Sequence, residues 1–182
     1  MIISPKINKK YITIFAIAVF LSWIAHELAH WVAGSCMGYK MVMTLNSTYP
    51  SQGYYSSDLD YQILSAVGPV FTICEAILIF IIMRRRPVIL LYPFLFICFY
   101  MRLFAAIISI RNPNDEARIS SAIGIGKFTL PILVSAFLFL LIYKISKEYK
   151  FSIKFNLANL GLAVLFSSIV ILIDMYLKIQ LL

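Results

Sequence analysis

Two histidines, three cysteines and eight acidic residues are all the strong metal-ligating side chains that this 182-residue chain contains. Cys36, Cys74 and Cys98 are scattered, and two lie inside apolar runs, so there is no disulfide framework and no C-x-x-C knuckle. Charge is scarce as well: 13% of residues are charged, against 62% hydrophobic, where soluble domains carry roughly 45–50% apolar residues. That balance excludes an ordinary water-soluble domain and makes lipid the solvent for most of the chain. The net charge of +8 forms no continuous basic face. Its lysines and arginines sit in short clusters beside apolar runs, which argues against a nucleic-acid partner and for a lipid bilayer. Internal repeats and low-complexity stretches are also missing.

What is present is a series of five apolar segments, at about residues 11–33, 62–83, 88–110, 128–145 and 157–177. Each approaches the roughly 20 residues that a helix needs to cross the hydrocarbon. The expected architecture is an all-α membrane protein of about five transmembrane helices, forming one integral membrane domain over residues 1–182. Between the first two spans, Lys40-Met41-Val42-Met43-Thr44-Leu45 alternates apolar and polar residues before Pro50 and Gly53, which predicts a short strand or hairpin. The first apolar run follows Lys6, Lys9 and Lys10 but exceeds a typical signal-peptide core, so it reads as a retained span. With the amino terminus in the cytoplasm, ten Lys and Arg residues fall inside and five outside, Arg102 being left within the third span. The bias favours that orientation, with the carboxyl terminus outside.

Both histidines belong to one motif, His26-Glu27-Leu28-Ala29-His30, in the last third of the first span. On a helix the i, i+4 spacing stacks two imidazoles on one face, where they can hold one zinc ion per chain. Glu27 can then serve as general base toward a water activated by the metal. An acidic side chain in a span costs about 2.5–3.5 kcal/mol at the bilayer centre, so its presence points to function.

A catalytic zinc takes a third protein ligand as a rule. With no histidine left, the candidates are Cys36 and the acids Asp58, Asp60, Glu75, Asp115, Glu116, Glu148 and Asp174. The topology puts Glu148 on the wrong side, whereas Asp115 and Glu116 follow the third span as it returns to the motif's side. Asp115 is the first choice and Glu116 the alternative. Asn112-Pro113-Asn114-Asp115-Glu116 equally reads as a helix start, with acids favoured in the first turn. Within the spans, Glu75 and Arg102 are expected either to pair with each other across about 10 Å of depth, or to leave Arg102 free to stabilise an oxyanion.

His26-Glu27-Leu28-Ala29-His30 in a span, a strand-like loop with Gly38, and Ala66-Val67-Gly68-Pro69 opening the next span resemble the site-2 protease family of intramembrane zinc metalloproteases. The likeness covers about residues 11–120, a metalloprotease-like core, and leaves two additional carboxyl-terminal spans at about 128–177. Thr72 stands where that family usually has an asparagine, and Asn112-Pro113-Asn114-Asp115 resembles its later segment with Glu116 in place of a glycine. The resemblance implies Asp115 as third ligand, a polypeptide substrate in or near the membrane, and pairing of an extended substrate with the strand at residues 41–45. Family members usually open their site to the cytosol, whereas the charge count here places it toward the outer face. Two readings follow. One is a zinc-dependent intramembrane endopeptidase. The other is a non-hydrolytic membrane zinc protein acting in transport, regulation or partner binding, marked by a closed four-ligand site.

Overall fold

The computed structural model describes residues 6–177 and 179–182, so Lys178, counted above on the outer side, lies outside the described residues. Five helices are long and apolar enough to cross a membrane, each within a few residues of an apolar segment of the sequence. They are α1 (Lys9–Cys36), α2 (Asp58–Arg85), α3 (Tyr92–Ile108, preceded by a 3-10 turn at Ile89–Leu91), α5 (Thr129–Glu148) and α6 (Ile153–Leu177). The short helix α4 (Asp115–Ala122) follows α3. Large apolar side chains such as Phe20, Leu21, Val70, Leu78, Leu140 and Leu165 remain exposed on the helix surfaces, as lipid-facing positions do.

Local chemistry sets the helix ends. Asn8 caps α1 by accepting from the Tyr11 N–H at 2.9 Å. At the far end Gly38, with φ +88°, adopts the left-handed conformation that closes the helix, and Tyr39 N bonds Gly34 O while Gly38 N bonds Ser35 O. Chain reversal there returns the next residues along α1 as a hairpin of β1 (Met41–Met43) and β2 (Thr48–Pro50), paired Met41 with Pro50, Val42 with Tyr49 and Met43 with Thr48. The hairpin lies flat on α1 because Gly34 has no side chain: a Cβ there would fall 2.6 Å from Sδ of Met41. Two further bonds fasten it, Trp31 Nε1 to Met41 O at 3.2 Å and Thr48 Oγ1 to Glu27 O at 3.1 Å.

Helices α1, α2 and α3 pack on one another, α5 covers α2 and α3, and α6 lies on α1 and α3. The buried core runs through Phe15 and Val19 of α1, Leu95 and Ile97 of α3, and Leu138 and Ile145 of α5. At the Lys9 end, Tyr11 donates to Asn159 Oδ1 at 2.6 Å and Tyr92 donates to Asn156 Oδ1 at 2.7 Å, so α6 is tied to both helices beneath it. At the opposite end Asp174 accepts from the Leu45 N–H at 2.9 Å. The outer edge of β1 is also taken by the chain itself: Met43 N donates to Leu182 O at 3.0 Å, and Leu181 N donates to Met43 O at 2.8 Å.

Candidate metal centre

One helical turn separates His26 from His30 on α1, and both rings turn toward α2. The Nδ1 atom of His26 lies 3.1 Å from Thr72 Oγ1, whose own hydroxyl donates to Gly68 O at 3.0 Å. That leaves Thr72 Oγ1 as the acceptor and fixes His26 with its proton on Nδ1. The Nδ1 of His30 stands 2.7 Å from the carbonyl oxygen of Leu64, which can only accept, so this ring too carries its proton on Nδ1. Both Nε2 lone pairs are thereby free and convergent, 3.3 Å apart. Outer partners that set the tautomer in this way are what metal-binding imidazoles have as a rule.

Gly68 makes the convergence possible. A Cβ on this residue would run into Nε2 of His30 and Cε1 of His26, so only a bare Cα lets α2 approach the pair. The next residue, Pro69, is buried within the same helix turn.

The third donor comes from α4. Ser109, near the end of α3, donates to Ala105 O at 2.8 Å and accepts from Asn114 N at 3.0 Å, folding the chain back sharply. Asn114 caps the new helix with its side chain, and the first helical residue is Asp115. Its Oδ2 lies 3.4 Å from His26 Nε2 and 3.6 Å from His30 Nε2. These separations are long for hydrogen bonds. They match donors about 2.0–2.1 Å from one tetrahedral ion, which stand ~3.3–3.4 Å apart by geometry. His26, His30 and Asp115 form a cluster that could hold a metal ion.

Charge in the same region fits a dication. Glu27, Asp115 and Glu116 are buried, at 7%, 7% and 4% exposure, and Arg102 is the buried cation among them at 4%. With both imidazoles neutral, three carboxylates face one guanidinium. The carboxyl groups outnumber the buried cation, and an uncompensated buried charge is costly. Arg118, one third exposed, adds a weaker contact to Asp115 Oδ1 at 3.5 Å. Two imidazoles, a carboxylate and this surplus suit a divalent ion.

A cavity of about 380 Å³ adjoins the cluster, lined among others by His26, Glu27, His30, Thr48, Arg102 and Asp115. Tyr61 and Tyr55 stack on its wall at 5.2 Å, with the Arg118 guanidinium 5.3 Å over the Tyr61 ring. Burial raises the Tyr55 phenol above its ordinary pKa, so it stays a hydrogen-bond donor.

Not every expected site residue joins the cluster. Glu116 turns to Arg102, accepting from Nη1 at 3.2 Å, and this corrects the expectation that Arg102 and Glu75 pair. Glu75 instead accepts from Ser22 Oγ at 2.8 Å. The first turn of α4 brings the Glu116 carboxylate within reach of Arg102, whereas Glu75 is held at Ser22. Cys36 is exposed. Asp60 accepts from the Tyr39 hydroxyl at 2.6 Å, and Glu148 pairs with Arg84 at 3.4 Å. Thr72, singled out in the sequence only as standing at the family's asparagine position, is the partner of His26. The Leu64 carbonyl escaped sequence reading and carries no signal there.

Comparison of the chain with protein-family models, with curated proteins and with solved structures finds no match.

Proposed function

We propose that the chain is a zinc-dependent intramembrane endopeptidase, similar to the site-2 proteases, hydrolysing a membrane-spanning or membrane-adjacent polypeptide. The observation that carries the reading is the convergence of His26 Nε2, His30 Nε2 and Asp115 Oδ2 at tetrahedral spacing, 3.3 to 3.6 Å, beside a cavity that Glu27 also lines. Zinc held there by His26, His30 and Asp115 would supply Lewis acidity for activating water and polarising a peptide carbonyl.

The chain's own residues supply the rest. Glu27 follows His26 on α1 and is therefore about 100° round the helix, close to the ligands yet directed to the cavity. It accepts the proton of the attacking water as the new C–O bond forms, and returns it to the amine nitrogen when the C–N bond breaks. Thr72 and the Leu64 carbonyl hold the imidazoles in the tautomer that the site needs. Burial among α1, α2, α3 and α4 keeps bulk water from the reacting atoms and strengthens each electrostatic contact.

The competing reading is a non-hydrolytic membrane zinc protein, which calls for a closed site of four ligands. Among the described residues the cluster comprises three donors, and the adjoining cavity has room for a substrate segment. That favours hydrolysis. For orientation we take the charge bias, with the amino terminus in the cytoplasm and the site toward the outer face.

The decisive experiment compares wild-type protein with Glu27→Gln in liposomes holding a quenched-fluorescent library of membrane-anchored peptides. Wild-type protein with one zinc should cleave members of the library, and Glu27→Gln should keep its zinc and lose cleavage by at least about 10²-fold. Equal cleavage by the two proteins would remove Glu27 from the mechanism. Zinc-loaded protein that cleaves nothing would favour the non-hydrolytic reading.

A further inference from the structure

Arg102 presents more hydrogen-bond donors to the cavity than its ion pair uses. A guanidinium carries five N–H donors in a fixed planar fork and never gives up its charge. Nη1 is accounted for, donating to Glu116 Oε1 at 3.2 Å and standing 3.6 Å from Asp115 Oδ2. Nε is buried and has no partner. The neighbour of Nη2 is Nε2 of His26 at 3.4 Å, and a nitrogen whose lone pair is committed to a metal ion accepts no hydrogen bond. With a metal held at His26, Nη2 would thus be without an acceptor, and it lies beside the metal donors.

An ion pair with Glu116 explains Nη1 alone. Charge balance explains a cation but not its placement with Nη2 beside a ligand nitrogen. A group that becomes negative next to the metal during reaction explains all three contacts, since donors aimed at developing charge in a buried site act most strongly there.

We propose that Arg102 is a catalytic residue that donates Nη2–H to the carbonyl oxygen of the scissile peptide as it becomes negative, and that Glu116 is the positioning residue holding the guanidinium. As the water oxygen bonds to the carbonyl carbon, the carbonyl π pair moves onto that oxygen and the water proton passes to Glu27. Arg102 keeps its own proton throughout. When the pair returns, the C–N bond breaks and its electrons leave with the amine, which takes the proton from Glu27. This assignment rests on the hydrolytic reading above.

The test uses the full-length protein loaded with cobalt(II), whose visible absorption reports anions at the metal, and inorganic phosphate as the probe. Arg102→Gln should keep one metal per chain and weaken phosphate binding at least tenfold. With zinc, it should lower kcat about 10²–10³-fold while KM moves less than threefold. Arg102→Lys keeps the charge but loses the fork, and should fall between. Glu116→Gln should lose about threefold in phosphate affinity with metal content unchanged. Wild-type phosphate affinity and kcat in Arg102→Gln would overturn the assignment. Should that variant fail to fold, Arg102→Lys decides: wild-type behaviour in both measurements overturns the proposal, and a joint loss supports it. The two readings fail differently. Phosphate binding that depends on Arg102 in a protein without hydrolysis counts against the endopeptidase, whereas hydrolysis indifferent to Arg102 counts against this inference alone.

Discussion

Gly68→Ala sets two effects of known size against each other. Helix propensity alone favours the change, because alanine in a helix interior is better than glycine by about 1 kcal/mol. The structure argues the reverse. The added Cβ would overlap Nε2 of His30 and Cε1 of His26, and both rings would have to retreat roughly 1 Å to reach ordinary contact. Metal ligands tolerate about 0.2 Å. Nor can the rings move freely, since each is pinned through Nδ1, one to Thr72 and the other to the Leu64 carbonyl. Outer bonds of this kind carry about 10–100-fold in metal affinity each, so losing both weakens zinc binding about 10²–10⁴-fold, or roughly 3–6 kcal/mol. The steric effect wins by several kcal/mol at the site, even though the apo helix gains a little. Zinc affinity by chelator competition, with thermal unfolding of apo and zinc-loaded protein, measures both quantities. Gly161→Ala is the control: nothing lies within 4 Å of its added Cβ, so it should leave zinc affinity unchanged and stabilise the fold by up to about 1 kcal/mol. If Gly68→Ala binds zinc as tightly as wild type, the argument from close approach is refuted.

Asp115→Asn should cut zinc content sharply, because a neutral amide oxygen is a poorer ligand than a carboxylate, while a first-turn acid gives its helix only about 0.3–1 kcal/mol; near-normal zinc would leave Asp115 a mere helix-start residue. A membrane-impermeant thiol reagent on intact cells should label a cysteine placed in the loop of residues 37–61 and not one beside Arg84, and the reverse pattern would overturn the charge-based orientation. Because the Leu181 N–H occupies Met43 O, Leu181→Pro should free the outer edge of β1 and raise cleavage of extended peptides severalfold. Unchanged cleavage would show that substrate does not use this edge.

What could be read from the sequence is what neighbouring residues decide among themselves. Five apolar runs of spanning length become helices because lipid offers no partner to an unpaired backbone amide, so each segment must satisfy its own. The stacking of His26 and His30 follows from helical pitch, the hairpin from alternation between Gly38 and Pro50, and the start of α4 at Asp115 from the capping residue Asn114.

Tertiary structure decided which distant groups meet. Pattern and spacing left Asp115, Glu116 and several other acids open as third donor. The difference between the first two is one position on α4, about 100° of rotation, and it sends Asp115 to the imidazoles and Glu116 to Arg102. Arg102 and Glu75 occupy neighbouring helices, so sequence suggested a pair, yet the depth at which α4 docks supplies Arg102 with a nearer carboxylate. The Leu64 carbonyl, the bare Cα of Gly68 and the pairing of Leu181 and Leu182 with Met43 have no local signature, because backbone groups are alike along any helix or strand. Such contacts are fixed by how helices of given length pack side by side, where a shift of one residue moves a group by about 1.5 Å along the axis and turns it to another neighbour.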